Sequence, residues 1–340
     1  MLRKIRIEQS QGHTLAHDIL QPSHGGSKQV VLARGHIIQN ADIATLSRLG
    51  QKHVYITEPN GNDVYEEEAA CRLAAAFVGD EISISKIDEG YVKLLATMPG
   101  LLKINTALLR EINSFDDIIL FTRHNNTACT YGMVVAGTKI IPLYIHEAGL
   151  KHVEKLCSIR GKVLKLLPYI KRKVGVVIVS DKVANGTEPE QFSPILRVKV
   201  ESLGAAITDT AVVPDDESAI AEALRNISSN GAEVICVCGG LSVNPGHMTL
   251  DGIERSGARI IARGVPVMPG SMCTVAYLGD TAILGVPSCF LRNKATAIDT
   301  ILPRMLAGDD ITREDIALLG HGGMCLGCQS CDYPHCPFCK

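Results

Sequence analysis

The chain has 340 residues, 46% hydrophobic and 21% charged, too many for one ordinary core, so two or three globular domains are expected. Its formal charge is -2 and no long Lys/Arg block occurs, which argues against a broad electrostatic grip on nucleic acid. No apolar stretch is long enough to span a bilayer, and MLRKIRIEQSQGHTLAHD lacks the apolar core and cleavage site of a secretion signal; no membrane association and a cytoplasmic location are expected.

Residues 1–58 combine the strand-like runs KQVVLA and KHVYI with the helix-like NADIATLSRLG, in which Asn40 can cap and Gly50 can terminate, and predict a small α+β domain. After the polar break EPNGND, residues 59–168 predict a second α+β domain. VYEEEAACRLAAAFVG is a helix closed by Gly79, ISIS and YVKLLAT are strands, LLKINTALLREIN is a helix, DIILFT is a strand, and MVVAGTKIIPLYI is an apolar run before the helix HEAGLKHVEKLCS. Glu66, Glu67 and Glu68 point in different directions around their helix, which favours a solvated first turn over a metal site. LPYIKRK, with a proline and several basic residues, marks a boundary.

Residues 169–320 are the most readable. VGVVIVS is a β-branched run of buried-strand type, followed by the helix SPILRVKVESLG with Ser193 as cap, Pro194 at its first position and Gly204 at its end. ITDTAVV is a strand, DDESAIAEALRNISS a helix capped by Asp215 or Asp216, and EVICVC a third strand. ARIIA, CTVAYLG and TAILGV are further strands, and FLRNKATAIDTILPRMLAG predicts one long closing helix bent at Pro303. Strands alternating with helices of about a dozen residues imply right-handed crossovers and an α/β domain with a mostly parallel sheet.

In such a sheet the strand C-termini share one edge, and ligands bind in the crevice outside it. The loops SDKVANGTEPEQF and CGGLSVNPGHMT both leave strand ends, so both should face that crevice. Gly239 and Gly240 lack Cβ atoms and permit close approach of a phosphate or ring, while Ser242, Asn244 and Thr249 offer hydrogen bonds; a tight turn alone would also use two glycines. Neither a Walker loop nor G-x-G-x-x-G is present. Asp215 and Asp216 suit helix capping, and they would reach the crevice if the second strand lies at its edge.

These residues resemble the molybdopterin-binding domain shared by molybdopterin adenylyltransferases, molybdopterin molybdotransferases and competence-damage proteins. VGVVIVSD, VVPDD, the GG-x-S loop reaching Thr249, VMPGS and LGVPS occur in the family's order over about 40% of the chain. TLAHDI, ARGHII and LSRLGQKHVYI are similar to the segment that precedes this domain in some molybdotransferase-related proteins. The resemblance implies a three-layer fold, a pterin ligand with dithiolene and phosphate, and a role in molybdenum cofactor biosynthesis or metal insertion. It implies cofactor contacts from Ser180, Asp181, Gly239, Gly240, Ser242, Asn244, His247 and Thr249 on one side, and from Pro269, Gly270, Ser271, Pro287 and Ser288 on the other. Asp181 and His247 are the catalytic candidates. His247 stands where catalytic relatives usually carry an aspartate that serves magnesium, and imidazole is a poor ligand for that hard ion. The acidic segment of molybdotransferases is absent, and GTEPEQF replaces their aspartate before a helix start. Molybdotransferase-like transfer with magnesium therefore stands beside two alternatives: a non-catalytic carrier delivering cofactor to a molybdoenzyme client, and an enzyme processing a nucleotide pyrophosphate. A homo-oligomer is compatible with such domains.

Residues 321–340 form a cysteine-rich tail. Seven of twelve cysteines are scattered over the first 289 residues, and five, Cys325, Cys328, Cys331, Cys336 and Cys339, fall in the last sixteen. In so long a chain without a signal peptide this is no disulfide scaffold. C-x2-C-x2-C-x4-C-P differs by one residue from a ferredoxin-type run and suits an iron–sulfur cluster, whereas Cys328, Cys331, Cys336 and Cys339 suit zinc, with His321 or His335 as spare ligands. A redox-active tail without metal is the third reading.

Overall fold

The computed structural model describes residues 2–22, 28–57, 62–88, 90–242 and 248–339. They divide into two compact units: 1–95 with 105–122 and 136–163, and 96–104 with 123–135 and 164–340. No helix among the described residues is long and apolar enough to cross a membrane.

In the first unit, Leu2–Arg6, His53–Thr57 and Thr14–Leu15 make a three-stranded antiparallel sheet with the 53–57 strand at its centre. It buries Ile5, Val54 and Ile56 against Leu46 of the helix Asn40–Arg48. That helix is capped by Gln39, which forms a capping box with Asp42, so Asn40 is its first residue rather than its cap. Helices Glu66–Phe77 and Glu147–Arg160 are joined by Arg72, whose guanidinium donates to Glu147 at 2.8 Å and to Glu154 at 2.9 Å.

The second unit is built on a six-stranded sheet. Its strands are β1 (Lys173–Val179), β2 (Ala206–Val213), β3 (Val234–Cys238), β4 (Arg259–Ala262), β5 (Thr274–Leu278) and β6 (Thr281–Val286), in the order β2-β1-β3-β6-β5-β4. The first four in that order are parallel, and β5 runs antiparallel to both of its neighbours, β6 and β4. Central strands β1, β3 and β6 are apolar on both faces, as a doubly covered parallel sheet requires. Helices α1 (Asp181–Ala184), α2 (Phe192–Ser202), α3 (Glu217–Ser229), α4 (Thr249–Arg255), α5 (Ile298–Leu306) and α6 (Arg313–Leu318) accompany the sheet. One core cluster joins Val176, Ile178, Leu196 and Leu302, and a second joins Val177, Val179, Leu224 and Ile253. Successive residues of β1 thus feed opposite faces, which gives the three layers expected.

Three local expectations are corrected. Leu101 to Ile104 is not helix but part of the strand Gly100–Ile104, paired antiparallel with Leu164–Pro168; the helix is Thr106–Ile112, capped by Asn105, whose side chain accepts from Leu108 N at 3.0 Å. The strand Leu164–Pro168 belongs to the second unit. Ser193 does not cap α2; Glu190 accepts from Ser193 N at 2.9 Å and takes that role. The long closing helix is broken into a 3-10 turn, Ser288–Leu291, and α5, because the backbone at Ala297 donates to Pro269 O at 3.0 Å while Asp299 accepts from Thr296 N at 2.8 Å and starts a new helix.

Candidate functional site

Strand register fixes where the loops emerge. Val179 lies opposite Val213, Ile178 opposite Cys238, and Cys238 opposite Val286, so β2, β1, β3 and β6 end side by side on one rim. Thr274 lies opposite Gly285, so the turn that precedes the antiparallel β5 reaches the same rim. The exits after Val179 and Val237 therefore open onto one edge, and the segments holding Ser180, Gly239, Pro269 and Pro287 meet there.

On the first side three loops are tied by a short chain of hydrogen bonds. Ser180 N donates to Val213 O at 3.0 Å, and its hydroxyl accepts from Val183 N at 3.3 Å, capping α1. Asp181 accepts from Asp215 N at 3.1 Å, and Asp215 in turn accepts from Met248 N at 2.9 Å. Asp216 is the cap of α3, accepting from Ser218 N at 3.0 Å and Ala219 N at 2.9 Å. The two neighbouring aspartates thus divide the work: Asp216 starts a helix, and Asp215 orders the rim. The exit of the DD pair from an apolar strand signals this position, but which carboxylate caps is set by backbone geometry.

The glycine pair has a conformational cause. Gly239 and Gly240 have φ of +100° and +60°. A Cβ on Gly239 would lie 2.5 Å from Val179 O, and one on Gly240 2.0 Å from Thr249 Oγ1. The missing side chains leave room for the protein's own backbone and for Thr249. Thr249 is fully buried, and its hydroxyl donates to Gly239 O at 3.2 Å. Gly239 N donates to Val286 O at 3.1 Å, which links the loop to the β6 exit. Ser242 is exposed beside this turn, whereas Asn244 and His247 lie outside the described residues.

On the second side, Pro269 O accepts from Ala297 N, Gly270 O accepts from Cys273 N at 2.9 Å, and Ser271 O accepts from Val265 N at 2.9 Å. Pro287 opens the 3-10 turn that carries Ser288. Beneath the rim, burial pushes the Cys236 thiol up to about 12 and holds Cys238 and Cys273 well above the usual thiol range. These are neutral apolar filler.

The cysteine tail is docked onto this unit. Met268 N donates to Gly323 O at 2.8 Å, Cys325 N donates to Met268 O at 2.8 Å, and Tyr333 OH donates to Asp299 O at 3.2 Å. Phe338 is buried in the core, 3% exposed. No disulfide joins the twelve cysteines; Cys328 and Cys331 are exposed and Cys325, Cys336 and Cys339 half-buried. Among the described residues no three His, Cys, Asp or Glu side chains gather closely enough to hold one metal ion.

Residues 175–307 match a family described as a probable molybdopterin binding domain, and residues 4–58 match a domain of unknown function. A molybdopterin adenylyltransferase of Pyrococcus furiosus is 30% identical over 82 residues, covering 24% of this chain and 48% of that one. A molybdenum cofactor biosynthesis bifunctional protein of Chlorobaculum tepidum is 23% identical over 154 residues, covering 40% and 49%. The chain thus spans about half the length of these curated relatives. A solved molybdopterin biosynthesis enzyme from Thermus thermophilus superposes with a TM-score of 0.34 at 20% identity, covering 42% of this chain and 98% of that one. Together with the ordered rim loops, the family match identifies residues 175–307 as a molybdopterin-binding-type α/β domain, homologous to proteins of molybdenum cofactor biosynthesis.

Proposed function

We propose that residues 175–307 bind molybdopterin, its adenylate or the molybdenum cofactor along the rim, and that the protein acts in molybdenum cofactor biosynthesis. The observation that carries this reading is the convergence of four parallel strand exits and the 268–273 turn on one edge. A ligand in the crevice outside carboxyl ends of strands meets loops from several strands at once, which is how an open α/β sheet recognises a large polar molecule. Ser180, Ser242, Ser271 and Ser288 supply hydroxyls along this edge, while Gly239, Gly240, Thr249, Pro269, Gly270 and Pro287 shape it. If the domain transfers metal, Asp181 and Asp215 are the rim carboxylates that would serve magnesium, a cation that takes oxygen ligands and retains waters. His247, where relatives carry an aspartate, favours the carrier variant, in which cofactor is bound and handed to a client without turnover.

Titration of the full chain with molybdopterin, its adenylate and the molybdenum cofactor, followed by pterin fluorescence, is expected to saturate with at least one of them. No measurable affinity for any would overturn the reading. Magnesium-dependent turnover with molybdate and the adenylate then separates transferase from carrier.

A further inference from the structure

The two ligand sets that the tail's spacing allows share Cys328, Cys331 and Cys336 and differ only in Cys325 against Cys339. Cys325, Cys328, Cys331 and Cys336 line one cavity of about 320 Å³. Cys339 lines a different cavity, beside Lys199 and Asp299. All four members of the ferredoxin-like set therefore share one cavity wall, and Cys339 neighbours it, since Tyr333 and Phe338 line both cavities.

We propose that the cavity holds an iron–sulfur cluster of the cubane class, ligated by Cys325, Cys328, Cys331 and Cys336. A single zinc ion needs four donors about 2.3 Å from one point, and no such convergence exists among the described residues. A cubane instead presents a separate iron to each thiolate, so its ligands stand around a volume rather than a point. Four cysteines lining one cavity match the second demand. The wall is anchored on both sides of the cysteine run: Cys325 N is bonded to Met268 O, and Phe338 is buried in the core. Arg292 and Lys294 stand on the same wall, where positive charge offsets the net negative charge of a cluster with four thiolates. Pro269 belongs both to this cavity and to the rim, so the cluster would sit beside the proposed pterin edge. The inference concerns the tail alone and stands whether or not the rim binds a pterin.

The test is anaerobic reconstitution of the full chain with ferric iron, dithiothreitol and sulfide, with zinc offered in a separate and in a competing arm. The expected product contains iron and sulfide in equal amounts and absorbs broadly in the visible, bleaching on reduction. Alanine at Cys325, Cys328, Cys331 or Cys336 should lower retained iron about tenfold, while Cys339→Ala retains it. Because a variant can fail by misfolding, the wild type is also alkylated before and after loading. The four cavity thiols should become protected, and Cys339 should label equally in both forms. Failure to retain iron, preferential retention of zinc, or loading that protects Cys339 in place of Cys325 would overturn the proposal.

Discussion

The glycine loop after β3 and the cysteine tail reach the same unit by opposite physical routes. Gly239 and Gly240 look like a cradle for a ligand, yet the space beside them is taken by Val179 O and Thr249 Oγ1. The cysteine run looks like an appendage, yet its flanking residues are built into the core and its thiols surround an open cavity. Residues that lack side chains serve the chain's own packing here, and residues with reactive side chains are left around space. A motif's local chemistry therefore does not decide between fold and function; what fills the volume beside it does.

The largest expected effect tests whether the tail is part of the fold. Phe338 is 3% exposed, in the same core cluster as Ile298 and Leu302. Phe338→Ala should lower unfolding free energy by about 3 kcal/mol, the low end for a buried phenylalanine, read from denaturant midpoints. An unchanged midpoint would make the tail an independent appendage and remove the contrast.

The glycine side of the comparison is sharpened by a matched pair. At Gly240 an added Cβ meets both a positive φ and the Thr249 hydroxyl, whereas Gly279 has φ +57° with nothing within 4 Å of its Cβ position. Gly279→Ala should therefore show backbone strain alone, about 1 kcal/mol, and Gly240→Ala about 3 kcal/mol from strain plus overpacking. Equal losses at both positions would mean that the loop yields around the new methyl.

Much of the α/β unit is legible because its cause is local. Buried parallel strands need continuous β-branched runs, and VGVVIV and EVICVC supply them; their shared rim then follows from right-handed crossovers. What escapes notice is set at long range. Leu101 to Ile104 becomes a strand because it pairs with Leu164 to Leu167, some sixty residues away, which no window around LLKI can show. The break before α5 is likewise made by Pro269 O, which captures Ala297 N from another loop. The positions of Ser180, Gly239, Pro269 and Pro287 on one rim were readable from order along the chain. The reason for the glycines, the bridging by Asp215 and the gathering of four cysteines along one cavity depend on which atoms fill which space.

The smallest effect separates two adjacent carboxylates, where packing and site-building are one residue apart. Asp216 accepts two backbone N–H groups at the start of α3, so Asp216→Ala should cost about 1 kcal/mol, the usual loss of a cap, and leave pterin affinity unchanged. Asp215 instead joins the β2 exit to Met248 at the end of the glycine loop, and its own N–H is held by Asp181. Asp215→Ala removes the acceptor for Met248 N while sparing the α3 cap, so stability should fall by a similar amount but pterin titration should weaken as well. If both variants bind pterin as wild type does, the loop order that Asp215 imposes is a matter of folding alone, and the glycine loop and its bridging carboxylate belong on the same side of the comparison.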